Sequence, residues 1–454
     1  MDESPFRKYL NSLLPKMFQF APVYQRLEVP SFDLTWLSID DVTGESVVLV
    51  PGGGGSTKSG LNNMIQIGQV IEKGKGGFTM MASFDTDVKG KSILCSGVAV
   101  GACMGHNVVC AFLENYCSIL KVSMEEVEGA SEPQMVLKRV ADFKADFSKQ
   151  GSVNCACILP SGHIVTGGDD GVCRLWAVGY NKSKPTLWQV KLLNQMEGHT
   201  APIMAVSYHP NDALISTAAK DGSCKIWNVV SGKMVCDVPC LPGLPGAGPV
   251  SSTSQMECRG CCFSNDGNYL FAIQSARRGA THLVEWELHQ FDESGEDEMP
   301  GSPMEQTPEG EDAPLRTAVN VSVSRTMMVV KVPSTRLKIC DGGTFLAVGG
   351  SDGTVAVIDV ETFQIVSTTQ CHDLPVTGLG FAPTSTAKRV GAQELLASCS
   401  ADNKLVTIKV AGGLSACAKF TFIVLSIVCM TALLVFMLIF FAMESPRMLS
   451  DKEL

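Results

Sequence analysis

The chain has 454 residues, a formal net charge of −10 at pH 7 and an isoelectric point near 5.3. This length allows one large domain or two to three domains of ordinary size. The acidic balance argues against a broad basic surface for nucleic acid, so a nucleic-acid-binding regulator is disfavoured.

The first segment, residues 1–28, matches no structural pattern and stays unassigned. It carries basic side chains but no continuous apolar stretch, which argues against an N-terminal signal peptide. Two strand-rich stretches, 36–70 and 78–122, are compatible with propeller blades although they lack a repeat motif. The next stretch, 124–147, has some helical periodicity and predicts a loop or a short helix.

A glycine-rich loop follows the strand predicted at residues 46–50. Its residues are Pro51, Gly52, Gly53, Gly54, Gly55, Ser56, Thr57, Lys58, Ser59, Gly60, Leu61, Asn62 and Asn63. The spacing from Gly52 nearly fits a phosphate-binding P-loop, but Thr57 stands where the second glycine must be. The alternating residues 64–71 predict a strand rather than the helix that a P-loop requires, so nucleotide binding is disfavoured.

Two other interpretations of this loop stay open. It could be a flexible hairpin without a role, as surface loops often are. However, each glycine adds conformational entropy to the unfolded chain, and four in succession need an explanation. The composition therefore favours a loop that folds its backbone around an ion or against a partner.

The body of the chain repeats one pattern of short strands. An apolar run is followed by a run of small residues, an Asp-Gly turn and a third strand, most clearly in 153–176 and 198–227. The second copy begins with Gly198-His199, and the two copies end in Trp176 and Trp227. This pattern is the signature of WD-repeat propeller blades. Asp-Gly supplies the positive φ that a tight turn needs, and small residues let inner strands approach the axis.

Degenerate copies of the repeat occupy residues 260–288, 340–360 and 372–410. With the earlier strand-rich stretches and a stretch around 315–332, they indicate about seven blades. The predicted fold class is therefore all-β, a seven-bladed WD-repeat-like β-propeller over residues 29–412. An α/β fold is disfavoured because sustained helical periodicity is missing before residue 420 apart from 124–147.

An acidic insert interrupts the propeller at residues 291–313. Its acidic residues, interleaved with proline and glycine, are Asp292, Glu293, Glu296, Asp297, Glu298, Glu305, Glu309, Glu311 and Asp312. This composition predicts a disordered loop between strands. It could bind a partner or accept phosphate on Ser294 or Ser302, or it could be a solvated insertion without a role.

The positions of the cysteines and histidines indicate structural roles rather than metal binding or catalysis. All 18 cysteines except Cys429 precede the C-terminal apolar segment and are expected to be reduced, buried thiols. Four of them have nearly the spacing of a zinc ribbon, but they lie in strand-like runs, which favours structural burial over a zinc site. These are Cys236, Cys240, Cys258 and Cys261. His163, His199, His209 and His372 fall at blade turns, where structural hydrogen bonding is expected.

The C-terminal segment 420–443 contains no charged residue. As a helix it would be ~36 Å long, enough to cross a bilayer with some tilt, so it predicts a single transmembrane helix. A buried core helix is the alternative, but such helices usually keep a polar face. With no signal peptide, the propeller and the linker 413–419 should be cytosolic and the tail 444–454 lumenal.

The tail ends in Asp451-Lys452-Glu453-Leu454. This sequence is similar to the Lys-Asp-Glu-Leu retrieval signal of the endoplasmic reticulum, with the first two residues exchanged. It is either an auxiliary retrieval signal or an ordinary charged tail.

Four features together resemble one membrane-bound WD-repeat family: the glycine-rich loop with its Gly60-Leu-Asn-Asn63 end, the degenerate propeller, the late His372-Asp-Leu-Pro-Val-Thr blade and the C-terminal anchor. That family, the prolactin regulatory element-binding protein family, comprises guanine-nucleotide exchange factors for the Sar-type small GTPase of the COPII coat. Each WD repeat alone is common, whereas the loop combined with the terminal span is specific.

The resemblance implies that the loop binds a potassium ion, enters the GTPase and opens its nucleotide site. Gly52 to Gly55 would form the turn, with Lys58, Ser59 and Gly60 as its far limb. Leu61 matches an apolar position of the family and Asn63 the closing asparagine, while Asn62 stands where some relatives have proline. Backbone carbonyls of Gly52 to Gly60 would hold the potassium.

Such a factor needs no acid, base or nucleophile, so no enzyme chemistry is expected. It would act at the endoplasmic-reticulum membrane and start COPII vesicle formation. The alternative is a tail-anchored WD-repeat scaffold without exchange activity, for which the glycine-rich loop has no evident use.

Overall fold

The computed structural model describes residues 22–410 except 41–42, 44, 56–59, 71–77, 88–91, 127–133, 181–187, 239, 241–255 and 292–317. The chain divides into two compact units, Met1–Ala411 and Gly412–Leu454. In the second unit only Thr431, Val435 and Met437 are described, all three in helical conformation. The expected insert, linker, membrane span and tail therefore lie wholly or almost wholly outside the described residues. Within the described residues, no helix has both the length and the apolar character needed to cross a membrane.

The first unit is a β-propeller of seven four-stranded antiparallel sheets, which confirms the predicted fold and blade number. Blade 1 contains β2 (Thr35–Asp40), β3 (Glu45–Gly52), β4 (Met64–Val70) and β5 (Phe78–Asp85). Blade 2 contains β6 (Cys95–Cys103), β7 (His106–Leu113), β8 (Tyr116–Glu125) and β9 (Gln134–Lys144). Blade 3 contains β10 (Val153–Ile158), β11 (Ile164–Gly168), β12 (Cys173–Tyr180) and β13 (Trp188–Met196).

The remaining blades follow in chain order. Blade 4 contains β14 (Ile203–Tyr208), β15 (Leu214–Ala219), β16 (Cys224–Asn228) and β17 (Met234–Val238). Blade 5 contains β18 (Met256–Phe263), β19 (Tyr269–Ala276), β20 (Thr281–Phe291) and β21 (Ala318–Val330). Blade 6 contains β22 (Ser334–Ile339), β23 (Phe345–Gly350), β24 (Thr354–Asp359) and β25 (Gln364–Gln370). Blade 7 contains β26 (Val376–Phe381), β27 (Glu394–Ser400), β28 (Lys404–Val410) and the N-terminal strand β1 (Val23–Arg26). A short helix, Thr384–Arg389, lies between β26 and β27.

The N-terminal strand β1 closes the ring. It pairs with β28 in the register from Val23↔Thr407 to Arg26↔Lys404. The propeller therefore begins before residue 29, where the sequence placed its start. Four residues with no repeat motif give little signal in the sequence, but their pairing supplies the outer strand that blade 7 lacks.

Three other expectations of the sequence analysis are corrected. The described part of the stretch 124–147 is mostly strand rather than loop or helix, because it contains the end of β8 and all of β9. The strand β5 at residue 78 belongs to blade 1 rather than to a second blade. The stretch around 315–332 is not a separate blade, since β21 is the outer strand of blade 5.

The apparent helical periodicity of β9 has a specific cause. The pairing of β8 with β9 shifts register between Ile119 and Leu120, at a bulge. Met135 and Leu137 pack between blades 1 and 2, whereas Val140 and Phe143 pack between blades 2 and 3. The buried side chains of β9 thus change from one face of the sheet to the other at the bulge. This change interrupts the alternation of buried and exposed residues and gives an apolar spacing similar to that of a helix.

The hydrophobic core lies between neighbouring blades, with one buried cluster at each of the seven interfaces. At the interface of blades 3 and 4, Trp227 packs with Leu175 and Ile203. At the interface of blades 4 and 5, Cys258 and Cys261 are buried, as predicted, while Cys236 and Cys240 are only partly buried. Hydrogen bonding to the thiols of Cys258 and Cys261, with burial, raises the pKa of Cys224 well above its usual range.

The histidines have structural partners, which confirms their predicted role. His199 Nδ1 lies 3.0 Å from Asp221 Oδ2, and its Nε2 lies 2.7 Å from Thr217 Oγ1. Trp227 Nε1 donates to the same hydroxyl at 2.8 Å. Blade 7 repeats the arrangement around His372, whose ring nitrogens lie 3.2 Å from Asp402 Oδ1 and 2.9 Å from Ser398 Oγ. His209 Nε2 lies 2.9 Å from the carbonyl oxygen of Gly267, and His163 Nδ1 lies 3.0 Å from Ser161 Oγ.

Blade 5 lacks the threonine hydroxyl that accepts the tryptophan hydrogen bond in blade 4. In blade 4, Trp227 pairs with Ile215, two residues before Thr217, and in blade 5 Trp286 pairs with Leu270, two residues before Ala272. Ala272 has no hydroxyl, and the buried Trp286 Nε1 has no hydrogen-bond partner among the described residues. The degenerate repeat has kept the tryptophan and lost its acceptor.

We expect Thr217→Val to lower the free energy of unfolding of the propeller by about 1–3 kcal/mol, because it leaves the buried Trp227 and His199 nitrogens without their shared partner. Thr217→Ser keeps the hydroxyl and is the matched control. Urea unfolding of both variants checks this, and equal destabilisation by valine and serine would contradict it.

His372 should make stability depend on pH. Burial lowers the pKa of His372, and the nearby Asp402 carboxylate only partly offsets this effect. In the unfolded chain the imidazole takes up a proton near its ordinary pKa of ~6.5, whereas the folded protein does so only at lower pH. The unfolded state then binds more protons, so the free energy of unfolding falls as the pH decreases through this window.

We therefore expect wild-type stability to fall between about pH 7 and pH 5 more steeply than that of His372→Gln. Chemical unfolding at a series of pH values measures both slopes. Parallel slopes for the two proteins would show that His372 is not responsible.

Candidate functional site

The candidate site lies at one end of blade 1. The glycine-rich loop joins the end of β3 to the start of β4, and the linker 86–94 joins the end of β5 to the start of β6. Because adjacent strands are antiparallel, both connections emerge at the same end of the blade. The segment between β1 and β2 also passes this end of the blade, since Ser31 forms a bridge with Gly52.

The first two glycines are packed into the propeller rather than placed in the turn. Gly52 is the last residue of β3 and pairs with Met64, and the Gly53 amide donates to the Pro30 carbonyl at 3.1 Å. A Cβ atom on Gly52 would lie 2.0 Å from the Pro30 carbonyl oxygen, and one on Gly53 would lie 2.4 Å from Asn63 Oδ1. Both positions need glycine for space, and Gly53 needs it also for its φ of +143°. The predicted turn begins later than Gly52.

Gly55 and Gly60 need glycine for a different reason. Their φ angles are +67° and +74°, in the left-handed region that favours glycine. A Cβ atom would meet little at either position, since its closest neighbour at Gly55 would be 3.9 Å away and at Gly60 there is none within 4 Å. Gly54 is partly buried, and Leu61 is 40% exposed. The predicted site residues Ser56, Thr57, Lys58 and Ser59 lie outside the described residues.

A hydrogen-bond network, which we name the clasp, joins the two limbs of the loop to the linker. The clasp consists of Gly55, Asn63, Asp87 and Ser92. Asn63 is fully buried, and its Oδ1 accepts from the Gly55 amide at 2.8 Å. Asn63 Nδ2 lies 2.8 Å from Ser92 Oγ, 3.1 Å from Asp87 Oδ1 and 3.3 Å from the Gly55 carbonyl oxygen. Ser92 Oγ donates to that same carbonyl at 3.1 Å.

The linker is itself held in place by three further bonds. Asp87 Oδ1 accepts from the Ile93 amide at 3.1 Å, which folds the linker back on itself. The Thr86 amide donates to the Asn63 carbonyl at 3.0 Å, and Arg139 from β9 donates to the Thr86 carbonyl at 3.2 Å. Blade 2 thereby supports the linker, and the linker supports the loop.

The sequence predicted Asn63 but not Asp87 or Ser92. Those two residues lie 24 and 29 positions after Asn63, in a stretch without a recognisable motif. Both residues lie inside the strand-rich stretch 78–122, and Asp and Ser are common in turns, so neither stood out.

The expected potassium site, the backbone of Gly52 to Gly60, is described only in part and stays a prediction. The Gly55 carbonyl, one of its expected ligands, accepts hydrogen bonds from Ser92 and Asn63. Gly52 belongs to the ladder between β3 and β4, and residues 56–59 are not described. The loop also leads into a strand, β4, so the structure confirms the argument against a P-loop.

The fold and the repeats place the chain in the class of seven-bladed WD-repeat propellers. The family model "WD domain, G-beta repeat" matches residues 138–177 and 190–228, which lie in β9 and in blades 3 and 4. Trp176 and Trp227, which the sequence singled out, lie inside these matches.

Among individual proteins, the chain is similar to guanine nucleotide-exchange factor SEC12 of Mus musculus. The two are 23% identical over 390 residues, covering 78% of this chain and 82% of the mouse protein. SEC12 of Rattus norvegicus gives the same identity and coverage. TOPLESS-RELATED PROTEIN 2 of Oryza sativa is 26% identical over 53% of this chain, but the match spans only 16% of that protein.

We expect Asn63→Ala to accelerate hydrogen exchange of the Gly55 amide by about tenfold, because that amide loses its acceptor. Asn62→Ala, which changes an exposed neighbour, is the control. Exchange measured by NMR or mass spectrometry checks this, and unchanged protection of Gly55 in Asn63→Ala would contradict the clasp.

Proposed function

We propose that this chain is a guanine-nucleotide exchange factor that activates a Sar-type small GTPase at the endoplasmic-reticulum membrane and so starts COPII vesicle formation. The observation that carries this proposal is the similarity to SEC12, because it spans most of both chains rather than one repeat. The glycine-rich loop with its buried closing asparagine, Asn63, adds support.

Exchange needs binding energy rather than covalent chemistry. A factor accelerates nucleotide release when it binds the nucleotide-free GTPase more tightly than the loaded form. A loop held ready before contact loses little conformational entropy on binding. The clasp holds both limbs of this loop, and the 40% exposed Leu61 offers an apolar contact for the GTPase.

The proposed location follows from the apolar segment 420–443, which would anchor the propeller on the cytosolic side with the tail 444–454 in the lumen. Anchoring confines activation to one membrane and raises the local concentration of the factor there. The tetrapeptide Asp451-Lys452-Glu453-Leu454 would be at most an auxiliary retrieval signal.

We expect the propeller unit, residues 1–411, to accelerate release of a fluorescent GDP analogue from a Sar-type GTPase by at least tenfold. A Ras-type GTPase is the control for specificity and should show no acceleration. Binding to the Sar-type GTPase without faster release would contradict the proposal and favour the scaffold alternative.

Potassium is a further part of the proposal, held by the backbone of Gly52 to Gly60. Release should therefore be faster in potassium chloride than in sodium or lithium chloride at equal ionic strength. Release from the GTPase alone in each salt is the control. Equal acceleration in all three salts would remove the ion from the mechanism.

A further inference from the structure

We propose that Asp87 and Ser92, in the linker between blades 1 and 2, are positioning residues for the exchange loop. This inference deepens the proposed function and rests on it. It assigns a functional role to a linker that has no repeat motif and was not part of the predicted site.

Ser92 is the centre of the argument because of what its hydroxyl contacts. Its Oγ lies 2.8 Å from Asn63 Nδ2 on one limb of the loop and donates to the Gly55 carbonyl at 3.1 Å on the other. The residue is exposed, so it has no packing role in the core. One hydroxyl thus ties together the two limbs of the loop.

Asp87 keeps Ser92 within hydrogen-bond distance of the loop. A single oxygen, Asp87 Oδ1, accepts from Asn63 Nδ2 and from the Ile93 amide, each at 3.1 Å. The second bond fixes the backbone directly after Ser92, and the first fixes the linker to the buried end of the loop. Without this carboxylate, both attachments would be lost together.

Because the loop is rich in glycine, holding it in one conformation has a large effect on how often it is ready to bind. Glycine has more conformational freedom than any other residue, so a loop with Gly54, Gly55 and Gly60 would otherwise sample many shapes. Only the conformation that fits the GTPase is productive, and its population multiplies the apparent affinity. The clasp raises that population before the partner arrives.

The test compares alanine variants of the full-length protein, reconstituted in detergent micelles, in the GDP-release assay. Ser92→Ala and Asp87→Ala should each lower kcat/KM by about 3- to 10-fold, the effect of losing one or two hydrogen bonds. Ser92→Thr and Asp87→Asn keep the donor or acceptor atoms and should retain most of the activity. Ser123→Ala is the matched control, because that hydroxyl donates to Glu125 and does not contact the clasp.

A second measurement does not depend on exchange activity. Trypsin cleaves after lysine, and the peptide bond after Lys58 lies in the loop sequence. If Asp87 and Ser92 position the loop, cleavage after Lys58 should be faster in both alanine variants and unchanged in the control, with thermal unfolding the same in all. Mass spectrometry of the products separates this cut from those after Lys89 and Lys91.

The two measurements together decide the inference. Lower kcat/KM with faster cleavage after Lys58 supports positioning, whereas lower kcat/KM with unchanged cleavage means that the side chains contact the GTPase directly and overturns it. Unchanged kcat/KM and cleavage in both alanine variants also overturns it. If the wild-type protein releases no GDP, the proposed function fails, and the cleavage rates alone decide whether the linker positions the loop.

Discussion

The pairing of β1 with β28 is the constraint on which the propeller depends. A ring of blades has two ends that must meet, and here β1, the first strand of the described residues, completes the last blade. The closure continues past the strand, since the Leu27 amide donates to the Asn403 carbonyl and Ser31 Oγ donates to the Ser400 carbonyl. Trp36 then packs between blades 7 and 1, and its Nε1 donates to the Gly380 carbonyl at 3.0 Å.

The same closing segment supports the candidate site. Ser31 and its neighbours lie against blade 7 on one side and against the end of β3 on the other. The Pro30 carbonyl accepts from Gly53, and the Phe32 amide donates to the Pro51 carbonyl. The base of the glycine-rich loop is therefore fixed by ring closure, and its two limbs are joined by the clasp at Gly55 and Asn63. This arrangement explains why Gly52 and Gly53 are buried while Gly55 and Gly60 leave room around them.

The sequence could predict those parts of the structure in which the interacting residues belong to one short motif. Trp227 and His199 belong to a motif whose members bond to each other within one blade, so the motif predicted both the fold and their role. The closing strand, the bulge in β9 and the clasp depend on residues far apart in the chain. Asp87 can bond to Asn63 only because the pairing of β4 with β5 brings the two residues together. A single sequence contains no signal for that contact.

The central claim is that the GTPase binds at the end of blade 1 that bears the loop and the linker. Hydrogen exchange of the propeller, measured with and without nucleotide-free Sar-type GTPase, tests it most directly. If the GTPase binds there, peptides covering residues 53–63 and 86–94 become protected from exchange. Protection confined to peptides from the opposite ends of the strands, such as 41–44 and 71–77, would contradict it.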